Sequence, residues 1–234
     1  MLAGAMTMAR IIAVSACTIL LFIVLRALLM PLGHLPHNLL VSHEHKLLVC
    51  FIQKNGCSAW INFMFELCGR QRLRAWDDLY ARPPRDPQRG MLLGVRGQLE
   101  LNAILRDPAW TKIVTIRHPA ERLVSAFLEK CAEPGSEEAR RQCVLFPNAS
   151  HPAPTLERLV DLAASDAAAR RVLFANGHWT PQSHFCGGLK TTLPYFTEVL
   201  DMSDQGFATH VGAVLRGRGV AKELIARHFW QTGA

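Results

Sequence analysis

The chain has 234 residues, half of them hydrophobic, which is enough for one domain with its own core and too few for two. Its net charge is +7, and the basic residues are 20 Arg and 6 Lys. The planar Arg fork suits phosphate and sulfate, so an anionic ligand is expected. The positive charges are scattered, with no aromatic-interleaved stripe, so nucleic acid is not an expected partner. No Cys-x-x-Cys pair is present to mark a zinc ribbon, and no metal is expected.

Ile11 to Leu25 is an uncharged apolar run that continues past Arg26 to Met30. Taken as one segment, residues 11–33 reach across a bilayer core, which takes roughly 20 residues. Arg26 lies near the end of this segment, where its head group can snorkel to the interface. Arg10 and the amino terminus put positive charge on the short N-terminal side. The expectation is therefore a single-pass, type II signal anchor, with residues 1–10 cytoplasmic and everything after 33 in the lumen of the secretory pathway. A cleaved signal peptide is the competing reading. Residues 34–45, with His34, His37, His43 and His45, read as a short polar stem before a lumenal domain over 46–234.

Lys46 to Ile52 is a continuous apolar run that suits a strand buried on both faces. A polar turn over residues 53–58 follows. Ala59 to Cys68 then predicts a helix, with Trp60, Phe63, Met64 and Leu67 on one face. A further helix is expected near 97–106, and a second buried strand over Lys112 to Ile116. Pro119 suits the first position of a helix, where its missing N–H costs nothing, with Leu123, Val124, Phe127 and Leu128 as the buried face. Leu156 to Leu173 reads as one Ala-rich helix. Two strand–turn–helix units imply an α/β fold, a P-loop-like parallel sheet flanked by helices, with the ligand beyond the carboxyl ends of the strands.

Both turns at those ends carry anion-binding chemistry. In Gln53, Lys54, Asn55, Gly56, Cys57 and Ser58, unpaired N–H groups and the positive end of a helix face one spot, Gly56 permits close backbone approach, and Lys54 adds charge. The pattern differs from the P-loop consensus, because there is no second glycine and the lysine precedes the one present. In the second turn Arg117 stands at a strand end and Ser125 about two helical turns later. A guanidinium and a hydroxyl there can converge on a second phosphate. Asn148 begins an N-glycosylation sequon in a Pro-rich stretch. Cys131 and Cys143 bracket a polar loop that suits a disulfide. Cys50 and Cys57 read as buried free thiols.

Phe51 to Ser58 resembles the 5′-phosphosulfate loop of the carbohydrate sulfotransferase family that includes the chondroitin 4-O- and HNK-1-type enzymes. Ile116-Arg-His-Pro-Ala-Glu-Arg-Leu-Val-Ser-Ala126 is similar to that family's 3′-phosphate motif. His178-Trp179-Thr180-Pro181-Gln182, followed by Cys186, is similar to a third block. The resemblance covers roughly residues 46–201. Past Asp201 it stops, so the C-terminal end reads as truncated or divergent.

The resemblance implies sulfuryl transfer from PAPS (3′-phosphoadenosine 5′-phosphosulfate) to a hydroxyl of a glycan acceptor, by a Golgi membrane enzyme with a lumenal catalytic domain. It implies that residues 53–58 hold the 5′-phosphosulfate and that Arg117 and Ser125 hold the 3′-phosphate. Lys54 is then the candidate for the bridging oxygen and His178 for the catalytic base. Arg122 reads as a structural ion-pair partner within its helix. The alternative is a non-catalytic, glycan-binding membrane protein on the same fold.

Overall fold

The computed structural model describes residues 38–69, 98–133, 137–143 and 154–229. The apolar run at 11–33 and the sequon at Asn148 lie outside these residues. Among the described residues, no helix is long and apolar enough to cross a membrane.

Four strands form the sheet: β1 (Leu39–Ser42), β2 (Leu47–Cys50), β3 (Thr111–Ile116) and β4 (Glu198–Asp201), in the order β1-β2-β3-β4. β1 is antiparallel to β2, with Leu40 opposite Val49. β2 and β3 are parallel, with Val49 opposite Ile113, and β3 and β4 are parallel, with Val114 opposite Val199. β1 falls inside the segment expected to be the stem. A tight turn at residues 43–46, with Lys46 at φ 48°, folds it back on β2.

The helices are α1 (Cys57–Leu67), α2 (Gln98–Arg106), α3 (Pro119–Phe127), α4 (Glu137–Arg141), α5 (Leu156–Ser165), α6 (Ala167–Phe174), α7 (Leu189–Thr192), α8 (Phe207–Arg216) and α9 (Lys222–Phe229). Alternate residues of β1 and β2 face opposite sides, and both sides are buried. One side packs Val41, Leu48, Cys50 and Val114 against Leu101, Ile104 and Leu105 of α2 and against Phe185 and Leu189. The other packs Leu40, Val49, Phe51 and Ile113 against α1, α8 and α9, with Trp60, Phe63, Val211, Leu215 and Ile225 interleaved. A layer of helix on each face is what continuous apolar strands require.

The expected helix over 156–173 is two helices. Asp166 ends α5 and caps α6, its Oδ1 accepting from the N–H groups of Ala168 and Ala169 at 2.7 and 3.1 Å. The buried face of α3 matches the expected one at Phe127, with Leu123 half-buried beside it, and departs from it elsewhere. It carries Arg122, Ala126 and Phe127, while Val124 and Leu128 are 38% and 48% exposed. A buried arginine, invisible to a hydrophobic pattern, rotates the helix.

Two disulfides, one local and one long-range, cross-link the described residues. Cys131 is bonded to Cys143, as the bracketed loop suggested. Cys50 is bonded to Cys186, 136 residues away, and is therefore not the free thiol expected. Cys57 is a buried free thiol, as read, and burial pushes its pKa up.

Candidate active site

The carboxyl ends of β2, β3 and β4 open on one side of the sheet, and the segments leaving them build the site. After β2 the chain turns through residues 53–56. Lys54 has φ 69° and Gly56 φ 71°, both left-handed, and Gly56 is the N-cap of α1. No side chain caps this helix, so its first N–H groups remain available to an anion. An added Cβ at Gly56 would stand 3.5 Å from Met202, which is ordinary contact, so the φ rather than crowding favours glycine there.

After β3, the Arg117 side chain turns back over this loop. Its Nη1 donates to the carbonyl of Lys54 at 3.3 Å, and its Nε donates to Glu121 at 3.3 Å. The two turns singled out in the sequence are thus in direct contact. Ser125 is half-buried about two turns along α3. The loop after β4 closes the third side. Ser203 donates to Glu121 at 3.1 Å and accepts from the His118 N–H at 3.4 Å.

Two residues that had no ligand role hold the turns in register. Arg122 is buried and donates to three carbonyls from two distant segments: Gln53 at 2.8 Å, Thr180 at 2.7 Å and Gly177 at 3.0 Å. It is structural, as expected, but it pairs with backbone rather than with a carboxylate. Burial lowers its pKa to about 10, which leaves it charged at neutral pH. In the sequence, Gln182 is one residue of the third block. Its Nε2 donates to the Arg117 carbonyl at 2.9 Å, and its Oε1 accepts from the Arg117 N–H at 3.3 Å and from Asn55 Nδ2 at 3.0 Å. Asn55, fully buried, also donates to the Thr115 carbonyl at 2.9 Å. One amide therefore ties the end of β3 to the first turn. The only sequence signal for this role was the position of Gln182 in the third block.

His178 sits on the same side, next to the buried Trp179, whose indole donates to the Gln142 carbonyl at 2.9 Å. Burial is the main cause that lowers the His178 pKa, to about 4, and the charges of Lys130, Lys54 and Arg122 push the same way against the opposing pull of Glu129. The imidazole is neutral at neutral pH, and its buried Nδ1 has no hydrogen-bond partner. Glu129 contacts Lys54 Nζ and accepts from Lys130 Nζ at 2.7 Å. The site therefore gathers Lys54, Lys130, Arg117 and Arg122 against the carboxylates of Glu121 and Glu129.

The model of the sulfotransferase family matches residues 37–205. The chain belongs to the sulfotransferase family. Every residue of the site lies inside that match. Human (Homo sapiens) carbohydrate sulfotransferase 9 is 33% identical over 106 residues, 45% of this chain and 23% of that protein. Carbohydrate sulfotransferase 11 of Rattus norvegicus is 31% identical over 94 residues, 40% of this chain and 26% of that protein. The same-named protein of Danio rerio is 30% identical over 93 residues, with the same coverage. The chain thus spans about a quarter of the length of the curated relatives it matches. No solved structure matches.

Proposed function

We propose that this chain transfers the sulfuryl group of PAPS to a hydroxyl of a carbohydrate acceptor. The observation that carries the reading is the contact between Arg117 and the Lys54 carbonyl, which joins two cationic turns over the uncapped start of α1. A donor with a phosphosulfate at one end and a phosphate at the other needs two adjacent anion sites of this kind. The orphaned Nδ1 of His178 beside the same cations fits the need for a proton acceptor. The relatives named carbohydrate sulfotransferase support a glycan as the acceptor.

In this reading PAPS supplies the activated sulfuryl group, and the residues position it. The amides of residues 53–58 and the start of α1 hold the 5′-phosphosulfate, and Arg117 and Ser125 hold the 3′-phosphate. Lys54 places its ammonium on the oxygen where negative charge grows as the sulfur–oxygen bond breaks. His178, neutral at neutral pH, takes the acceptor's hydroxyl proton. An anionic donor nearby opposes the depressing effect of the lysines and raises the imidazole's basicity, while burial continues to lower it.

The apolar run at 11–33 and the two disulfides, which form in oxidising compartments, support a Golgi membrane protein with a lumenal domain. The deciding experiment is transfer from radiolabelled PAPS across a panel of glycan acceptors, paired with titration by 3′,5′-ADP. Transfer is expected, and Arg117→Ala is expected to weaken 3′,5′-ADP binding at least about a hundredfold while the fold is kept. Glycan affinity without any transfer would instead identify a non-catalytic glycan-binding protein. Undiminished 3′,5′-ADP binding by the variant would remove the site assignment.

A further inference from the structure

Glu129 is an odd neighbour for an anion site. It lies in a π turn, Leu128–Ala132, that continues α3 and is tied to the rest of the protein by the Cys131–Cys143 disulfide. A π turn shifts the phase of the side chains that follow it and is frequent at functional sites. Here it turns Glu129 and Lys130 toward the first loop. The carboxylate contacts Lys54 Nζ and lies 2.7 Å from Lys130 Nζ.

The three side chains differ in burial. Those of Lys54 and Lys130 are each 9% exposed, whereas that of Glu129 is 51% exposed. The ammonium groups are fixed within the protein and the carboxylate reaches them from the solvent side. Burial pushes the Glu129 carboxyl up, but the bonds from Lys130 and Lys54 outweigh it and hold the pKa at about 2. The group is an anion at every pH near neutrality.

We propose that Glu129 is an internal placeholder for the donor's 5′-phosphosulfate, covering Lys54 in the free protein and swinging off it when the donor binds. The proposal rests on the sulfuryl-transfer reading of the site. The displaced carboxylate keeps Lys130 as a partner, so release from Lys54 does not strand an unpaired charge. Its role is to keep the Lys54 side chain ordered and satisfied until the donor arrives, at a cost in donor affinity. It thereby selects for ligands whose 5′ group is anionic enough to displace it.

The test is calorimetric titration of the full chain and of Glu129→Gln with two ligands, 3′,5′-ADP and adenosine 3′-monophosphate. Glu129→Gln is expected to bind 3′,5′-ADP about tenfold more tightly, the scale of one charge-assisted contact that no longer has to be broken. Adenosine 3′-monophosphate, with nothing to place on Lys54, is expected to change by less than about twofold. Glu129→Asp, which keeps the charge on a shorter arm, is expected to fall between wild type and Glu129→Gln for 3′,5′-ADP, and this ordering applies if the amide variant fails to fold. Equal or weaker binding of 3′,5′-ADP by the variants overturns the proposal. So does equal tightening for both ligands, which reports only the change in net charge. If the wild-type chain binds neither ligand, the donor reading itself fails and the placeholder falls with it.

Discussion

At the scale of single residues, the site is organised by groups that bond backbone rather than ligand. Arg122 donates to three carbonyls across the gap between the first turn and the segment at 177–180. Gln182 does the same between β3 and Asn55. The structural role of Arg122 was legible, but its partners were not, because they are backbone carbonyls of segments far away in the chain, and nothing local marks Gln182 as a tie. The shared location of Lys54, Arg117 and His178 was legible, because Lys54 and Arg117 stand where strands pass into helices and His178 lies in a motif block. His178 also gives a pH signature. Its folded pKa of about 4 lies below the ordinary 6.5, so between these values the unfolded chain binds the proton and the folded one does not. Stability is expected to fall as pH drops from 6.5 to 4, by up to about 3 kcal/mol, and denaturant titrations of His178→Gln should show a flatter slope in that window. Glu129 works in the adjoining window, since its depressed pKa gives stability that is present above about 4.5 and lost as pH falls toward 2.

At the scale of elements, α1 links the turn at residues 53–56 to α9 and to β3. Gly56 of that turn is its N-cap, and α9 packs along it from Trp60 to Glu66. Phe229 packs on Trp60 at 4.7 Å and on Phe63 at 5.4 Å between ring centroids, and His228 lies 2.9 Å from Glu66, which Arg227 also contacts. Trp60 in turn donates to Thr115 at 2.8 Å, fixing α1 to β3. A chain ending at Val220 lacks α9 and uncovers this aromatic cluster. It is expected to lose about 3 kcal/mol of stability by chemical denaturation and to bind 3′,5′-ADP more weakly, because the start of α1 is no longer held. Unchanged stability would mean that α9 is an ornament on the core. The presence of α1, α2 and α3 was readable from apolar spacing and from Pro119, although α1 begins at Cys57, two residues before the expected Ala59. The break at Asp166 was not, because an Ala-rich run has high helix propensity throughout and only the cap geometry shows where the chain changes direction.

At the scale of the whole molecule, the Cys50–Cys186 bond joins the end of β2 to the segment just after Gln182. It therefore fixes the distance between the turn at residues 53–58 and the His178 block. Closing 136 residues restricts the unfolded chain far more than the 12-residue Cys131–Cys143 closure. Replacing Cys50 and Cys186 together by Ala is expected to cost about 4 kcal/mol and lower Tm by about 10 °C, read by calorimetry under non-reducing conditions. The Cys131 and Cys143 pair should cost less.

The sequence by itself determined the α/β class, the parallel pairing of β2 with β3 and the two strand-to-helix turns, at residues 53–58 and after Ile116. These follow from short-range facts: apolar runs long enough for strands, a proline at a helix start, and a glycine where the chain must turn left-handed. Only the tertiary structure decided that β1 belongs to the sheet, that Cys50 meets Cys186, that Arg122 faces inward and that Glu129 covers Lys54. Each of these pairs residues far apart in the chain or rotates a helix about its axis. Their energy comes from burial and hydrogen bonding between segments, which no local pattern records.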